Sequence, residues 1–233
     1  MNVFKEGMKD GLPIGLGYFA VAFSLGIAAR NAGLNATQGF IASLFNIASA
    51  GEYALFTLIA ASAAYIETAV MTLVVNARYL LMSCALSQRF DPDTPMIHRI
   101  GVGAFITDEL FGIAIARPGY IKPAYTYGAA LTSVIPWALG TSLGIVMGNI
   151  LPAGVVSALS VAIYGMFLAI IIPPARENKV VMVFVAAGFI LSYLSEIIPF
   201  LKSMSEGTRT IVLTVVLAAA AAFFFPREEE QNE

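Results

Sequence analysis

Six side chains carry most of the chemistry legible in this chain: Glu52, Glu67, Asn76, Arg78, Asp108 and Glu109. All lie in or beside long apolar stretches comparable with Tyr125–Leu151 and Val180–Leu201. A charge near the centre of a bilayer costs several kcal/mol on insertion scales, so it faces protein or water and marks a route for a solute or a proton. Arg78 offers a planar, permanently charged fork suited to a carboxylate. Glu52, Asp108 or Glu109 is suited to accept an ammonium group or to carry a proton, since a carboxylate in apolar surroundings tends to titrate at raised pH. Glu67 and Arg78 are eleven residues apart, which places them on nearly the same face of one predicted helix, Glu67 close to its end and open to an interfacial role. Asn76 falls on the opposite face from Glu67, where bridging two helices fits as well as meeting a solute. Arg78 has a structural alternative too, an ion pair with Asp108 or Glu109 between helices.

The elements that must position these groups are membrane helices. Hydrophobic residues make up 58% of the 233 and charged residues 12%, with mean hydropathy +0.81, whereas soluble domains carry about 45–50% and about 25%. The net charge of −2 gives no basic footprint for nucleic acid. A spanning helix needs about 20 mostly apolar residues. That rule yields Ile14–Ala29, Gly39–Ala61, Ile66–Ser87, Ile100–Ala116, Tyr125–Leu151, Val155–Pro173, Val180–Leu201 and Thr210–Phe225. Two of these invite a break. Gly39–Ala61 contains Ala48-Ser49-Ala50-Gly51 before Glu52, and the short Ile100–Ala116 carries Thr107-Asp108-Glu109 in its middle. Broken or re-entrant backbone is tolerated in a membrane only where protein or a water-filled cavity satisfies it. The expected fold is an all-α polytopic bundle of six to eight transmembrane segments. It forms one integral-membrane domain over 1–233, multi-pass in the cell membrane, with an acidic solvated tail at 227–233.

Lys5 and Lys9 precede the first apolar run, which lacks a convincing cleavage site, so the N-terminus is expected in the cytoplasm with no signal peptide removed. With eight spans, Arg89 and Arg99 lie opposite Lys5, Lys9, Arg117 and Lys122. If both doubtful segments are re-entrant, Arg89 and Arg99 join that side and the charge bias sharpens. The chain also resembles itself: Leu12-Pro13…Ser24-Leu25-Gly26-Ile27 is echoed by Ile135-Pro136…Ser142-Leu143-Gly144-Ile145. Two related halves, 12–117 and 125–226, follow as an expectation, with a solute site between them at mid-depth. Gly140-x-x-x-Gly144-x-x-x-Gly148 makes a smooth stripe, read as a packing surface that is internal or meets a partner.

The lone Cys84 excludes an internal disulfide and a cysteine metal site. His98 sits in a polar stretch without His or Cys neighbours, so no metal or cofactor is expected. Trp137 is expected to anchor its helix near the membrane interface. An enzyme is not expected: a buried Ser–His or paired-Asp site is lacking, since His98 is the only histidine and Asp108 has no second intramembrane Asp. A channel stays open as an alternative.

Local motifs together resemble one family. Pro13…Gly17…Phe23…Gly26, the Ala48–Glu52 element, Asn76-Ala77-Arg78-Tyr79, Thr107-Asp108-Glu109, Trp137…Gly140-Thr141…Gly144…Gly148 and Phe167–Pro173 occur in its order. The set is similar to the AzlC-type large subunit of the branched-chain amino-acid exporters, over nearly the whole chain. Glu52 stands where the family usually has Gln, and Tyr79 where it has His. The resemblance implies outward movement of Leu, Ile, Val and sometimes Met, alongside a small AzlD-type membrane subunit.

Overall fold

The computed structural model describes residues 2–202 and 204–225, and every regular element among them is an α-helix. The tail expected at 227–233 lies outside the described residues. In chain order the helices are α1 (Val3–Asn31), α2 (Ala36–Phe45), α3 (Ser49–Ala60), α4 (Tyr65–Val75), α5 (Ala77–Ser87), α6 (Met96–Gly103), α7 (Asp108–Ile115), α8 (Pro123–Gly148), α9 (Ala153–Glu177), α10 (Lys179–Ile197), α11 (Pro199–Lys202) and α12 (Glu206–Phe224). They divide into two compact units, Met1–Ala61 with Val75–Ile163 and Ser62–Val74 with Tyr164–Glu233. Helices α1, α8, α10 and α12 are each long and apolar enough to cross a membrane, and α4 with α5 makes a fifth if the pair is one broken span. With 25 residues, α9 also has spanning length.

Three predicted spans are interrupted. Gly39–Ala61 breaks at Asn46–Ala48 and Ile100–Ala116 at Ala104–Thr107, both beside the residues that invited it. The third break, at Asn76, splits Ile66–Ser87 into α4 and α5, so Glu67 and Arg78 do not share a helix face as expected. Asparagine competes with helical backbone hydrogen bonding, and here its amide packs against Gly51 so closely that a Cβ there would stand 2.7 Å from Asn76 Nδ2.

The first unit is built on α1 and α8, which run side by side and parallel. Their contacts climb in step: Gly7 meets Tyr125, Gly15 meets Thr132, Gly26 meets Gly144, and Arg30 meets Gly148. Lipid is as apolar as leucine, so helices associate in it through close packing rather than hydrophobic gain, and small residues permit that packing. A Cβ on Gly140 would stand 2.6 Å from the Phe19 carbonyl, and one on Gly26 2.8 Å from Gly144 Cα. The Gly140–Gly144–Gly148 stripe is therefore an internal surface. The two self-similar segments, around Pro13 and Pro136, lie parallel rather than inverted.

The ends of this pair fix where the loops lie. Arg117 pairs with Glu6 at 2.9 Å, and Tyr125 donates to Asp10 at 2.7 Å, so the α7–α8 loop sits at the N-terminal end of α1. Arg89 donates to the carbonyls of Ile115 (3.1 Å), Arg117 and Gly119 (3.1 Å), and Arg99 donates to Ser87 and Asp91. Arg30, bonded to Asn149 at 2.7 Å, marks the opposite end. Helices α6 and α7 consequently begin and finish at the same end of the α1–α8 pair: each has eight residues, about 12 Å of rise, and together they form a hairpin tipped by Thr107. This places Arg89 and Arg99 with Lys5, Lys9 and Lys122, the arrangement with the sharper positive bias.

Gly26→Ala should sharply lower the yield of folded protein in the membrane, whereas Gly17→Ala, with nothing within 4 Å of its Cβ position, should leave it unchanged; detergent size-exclusion profiles compare them. In a Cys84→Ser background, single cysteines at positions 5, 93 and 120 should all label from the cytoplasmic face. Labelling of position 93 from the opposite face would refute the hairpin.

Candidate functional site

The breaks in α2–α3, α4–α5 and α6–α7 gather polar groups against the middles of α1 and α8. The first group is Glu52, in the opening turn of α3, where the helix dipole favours an acid. Its side chain is fully buried. It accepts from Ser43 on α2, from Trp137 Nε1 at 2.7 Å and from Thr141 Oγ1 at 3.1 Å on α8. Three neutral donors thus clothe both carboxylate oxygens. Trp137, expected at the membrane interface, is instead buried midway along α8, because its indole N–H needs a partner once out of water and Glu52 supplies it.

The second group is open. Arg78, in the first turn of α5, pairs with Asp108 at 3.0 Å, and both side chains retain over a third of their exposure. The guanidinium also leans 5.1 Å over the Tyr79 ring and reaches its hydroxyl at 3.4 Å, while its buried Nε finds no hydrogen-bond partner in the structure. Thr107 caps α7 by accepting the Leu110 N–H at 3.2 Å, which places Asp108 and Glu109 in the first turn, at the favourable end of the helix dipole. Glu109 is exposed and hydrogen-bonded to the hydroxyl of Tyr18, which also lies 2.6 Å from Thr107 Oγ1. An acid within a membrane segment faces protein or water rather than hydrocarbon.

Tyr18 joins the two groups. Its ring, midway along α1, meets Trp137 edge-on with centroids 5.3 Å apart. Of the six residues singled out by sequence, Arg78 and Asp108 pair directly, Glu109 joins them through Thr107 and Tyr18, Glu52 through Trp137, and Asn76 abuts the α3 start at Gly51. Glu67 has other work in the second unit: it accepts the Thr208 N–H at 2.9 Å and bonds Ser205, satisfying the start of α12. Tyr18, Ser43 and Thr141 were not anticipated. The available signal was a polar stripe, Ser133, Trp137 and Thr141, at four-residue spacing on the otherwise apolar α8.

An apolar cavity of about 350 Å³ lies in the same unit, lined by Leu44, Phe105, Tyr127, Ala130, Val134 and Ile135 among others. Leu44 follows Ser43 and Phe105 precedes Thr107 by two residues, so the cavity abuts both helix breaks. His98 is exposed beside the Tyr127 hydroxyl at 3.3 Å, and among the described residues no three of His, Cys, Asp or Glu are grouped to hold a metal.

Residues 13–151 match the family model described as AzlC protein. The chain is 30% identical to an uncharacterized membrane protein of Archaeoglobus fulgidus over 180 residues, covering 76% of this chain and 78% of that one. It is 25% identical to the inner membrane protein YgaZ of Escherichia coli, over 76% and 75% respectively. An uncharacterized membrane protein of Helicobacter pylori strain J99 is 22% identical over 64% of this chain and 66% of its own. No solved structure matches. The matched segment spans every residue of both polar groups.

Glu52→Leu should strip the shared acceptor from Ser43, Trp137 and Thr141, each unsatisfied donor costing about 1–3 kcal/mol. The unfolding temperature in detergent should drop markedly, and Glu52→Gln, which keeps one acceptor oxygen, should drop less. A Glu52→Leu protein as stable as wild type would show that these bonds contribute nothing.

Proposed function

This chain belongs to the AzlC family, and on that premise we propose that it is a secondary transporter exporting branched-chain amino acids, Leu, Ile and Val with Met as a further substrate, by proton coupling and with a small AzlD-type membrane subunit. The observation that carries this reading is the half-open Arg78–Asp108 pair at mid-depth. A zwitterion carries the same two charges in reverse. Its carboxylate takes the guanidinium fork, for which Nε is an unused donor, and its ammonium takes Asp108 and the exposed Glu109. Binding thus exchanges one compensated pair for two and leaves no charge of the site unpaired. The apolar cavity beside the helix breaks is large enough for an isobutyl or sec-butyl group, and its lining carries no charged side chain to reward a polar one.

Coupling needs an acid that changes protonation as the solute moves. Glu109 and Asp108 are open to water at the binding end, and Glu52 is sealed among neutral donors. Export follows when protonation of one of these acids weakens its hold on the ammonium. No covalent step is required of the protein.

In proteoliposomes holding both subunits, wild type should exchange labelled leucine for unlabelled leucine, faster under an imposed proton gradient. Arg78→Lys keeps the charge and loses the fork, so counterflow should fall roughly tenfold, the loss of one charge-assisted hydrogen bond of about 1.5 kcal/mol. Asp108→Asn should weaken leucine affinity while leaving folded yield near wild type. Normal transport by both variants would leave the pair a structural bridge only, and full activity of this chain alone would remove the partner from the reading.

A further inference from the structure

We infer that Tyr18 is a positioning residue that ties the state of the open Arg78–Asp108–Glu109 end to the sealed Glu52 end, through its contact with Trp137; the role assigned to the open end rests on the transporter reading above.

The argument is one of hydrogen-bond polarity. The Tyr18 hydroxyl has a single proton and two neighbours, Thr107 Oγ1 and Glu109 Oε2. Thr107 Oγ1 already accepts the Leu110 N–H as the cap of α7, and its own proton is free to donate. With Glu109 ionised, Thr107 donates to Tyr18 and Tyr18 donates to the carboxylate. With Glu109 protonated, the carboxyl donates to Tyr18 and the phenol proton turns to Thr107. The charge on Glu109, or an ammonium group drawn close to it, therefore decides which way the Tyr18 hydroxyl points and how tightly it is held. That ring packs edge-on against Trp137, whose N–H is committed to Glu52 at 2.7 Å. Tyr18 and Trp137 are both buried between α1 and α8, where glycine contacts leave the backbone no room to absorb a shift. A displacement of the Tyr18 ring consequently reaches Trp137 and its bond to Glu52.

The charged and titratable groups around each end are few. Facing Glu109 are Tyr18 from α1, Tyr79 from α5 and Asp108 from its own helix, and Asp108 in turn pairs with Arg78. Among the described residues, Glu52 is hydrogen-bonded to Ser43, Trp137 and Thr141, all neutral. Tyr18 and Trp137 are thus the described bridge between the two sets.

Trp137 is the only tryptophan of the chain, so its emission reads the sealed end directly. Purified Glu52→Gln protein, in which the group bonded to Trp137 cannot itself titrate, is taken from about pH 3 to about pH 8 without any amino acid, which tests the link whether or not the chain is a transporter. In that background Trp137 emission should show a step that Glu109→Gln removes and Tyr18→Phe, which keeps the ring and loses the hydroxyl, removes as well. Leucine should then shift the wild-type emission, while Tyr18→Phe binds leucine within about threefold of wild type but loses at least half of that shift and of the response to a proton gradient. Persistence of the pH step in either variant overturns the link; should Tyr18→Phe not fold, the Glu109→Gln titration alone decides. A pH step that behaves as expected in a protein that exchanges no amino acid leaves the link standing and sinks the transporter reading.

Discussion

Everything at the centre of the first unit depends on the backbone-to-backbone seam of α1 and α8. Neither helix gains by hiding apolar surface in a bilayer, so what holds them is dispersion and dipolar contact at a separation that only glycine allows. The seam also sets register. With Gly15 against Thr132 and Gly26 against Gly144, the aromatic ring of α1 that falls opposite Trp137 is Tyr18. A slip of one residue rotates Tyr18 roughly 100° away from that partner. The polar site is therefore a consequence of a contact made by residues with no side chain.

The short helices complete what the seam begins. Helices α2 and α3, α5, and the α6–α7 hairpin each bring one polar group to mid-depth and each leave backbone groups without helical partners at the break. Side chains answer part of that demand: Thr107 caps α7, and Arg89 gathers the carbonyls at its far end. The second unit solves the same problem with Glu67 and Ser205 at the start of α12. One acid sealed among neutral donors and two left open show how differently the surroundings can treat the same functional group.

The helical membrane fold was legible because apolar length alone announces it, and the breaks at Asn46–Ala48 and Ala104–Thr107 were announced by the small and charged residues beside them inside apolar runs. The break at Asn76 was not, since one asparagine in an apolar helix is ordinary and only its packing against Gly51 makes it a turn. Arg78, Asp108, Glu109 and Glu52 could be singled out because charge in a membrane must be explained. Their partners could not: Tyr18 and Trp137 look like any amphipathic aromatics, and the interfacial reading of Trp137 failed because a fold, unlike a sequence, offers a carboxylate at mid-depth. Pairing across α1 and α8 depends on a register set by glycines more than a hundred positions apart, which no local pattern encodes.

The hairpin has a consequence for how the protein is made. Two half-helices of about 12 Å cannot hold themselves across a hydrocarbon core of about 30 Å. They are synthesised before α8, against which Leu110 packs with Ala129, Ala130 and Val134. Until α8 leaves the ribosome, the hairpin lacks that apolar wall, although the loop carbonyls that fasten Arg89 are already made. It must wait at the membrane surface and slot in after its successor, so the order of assembly in this chain departs from the order of translation.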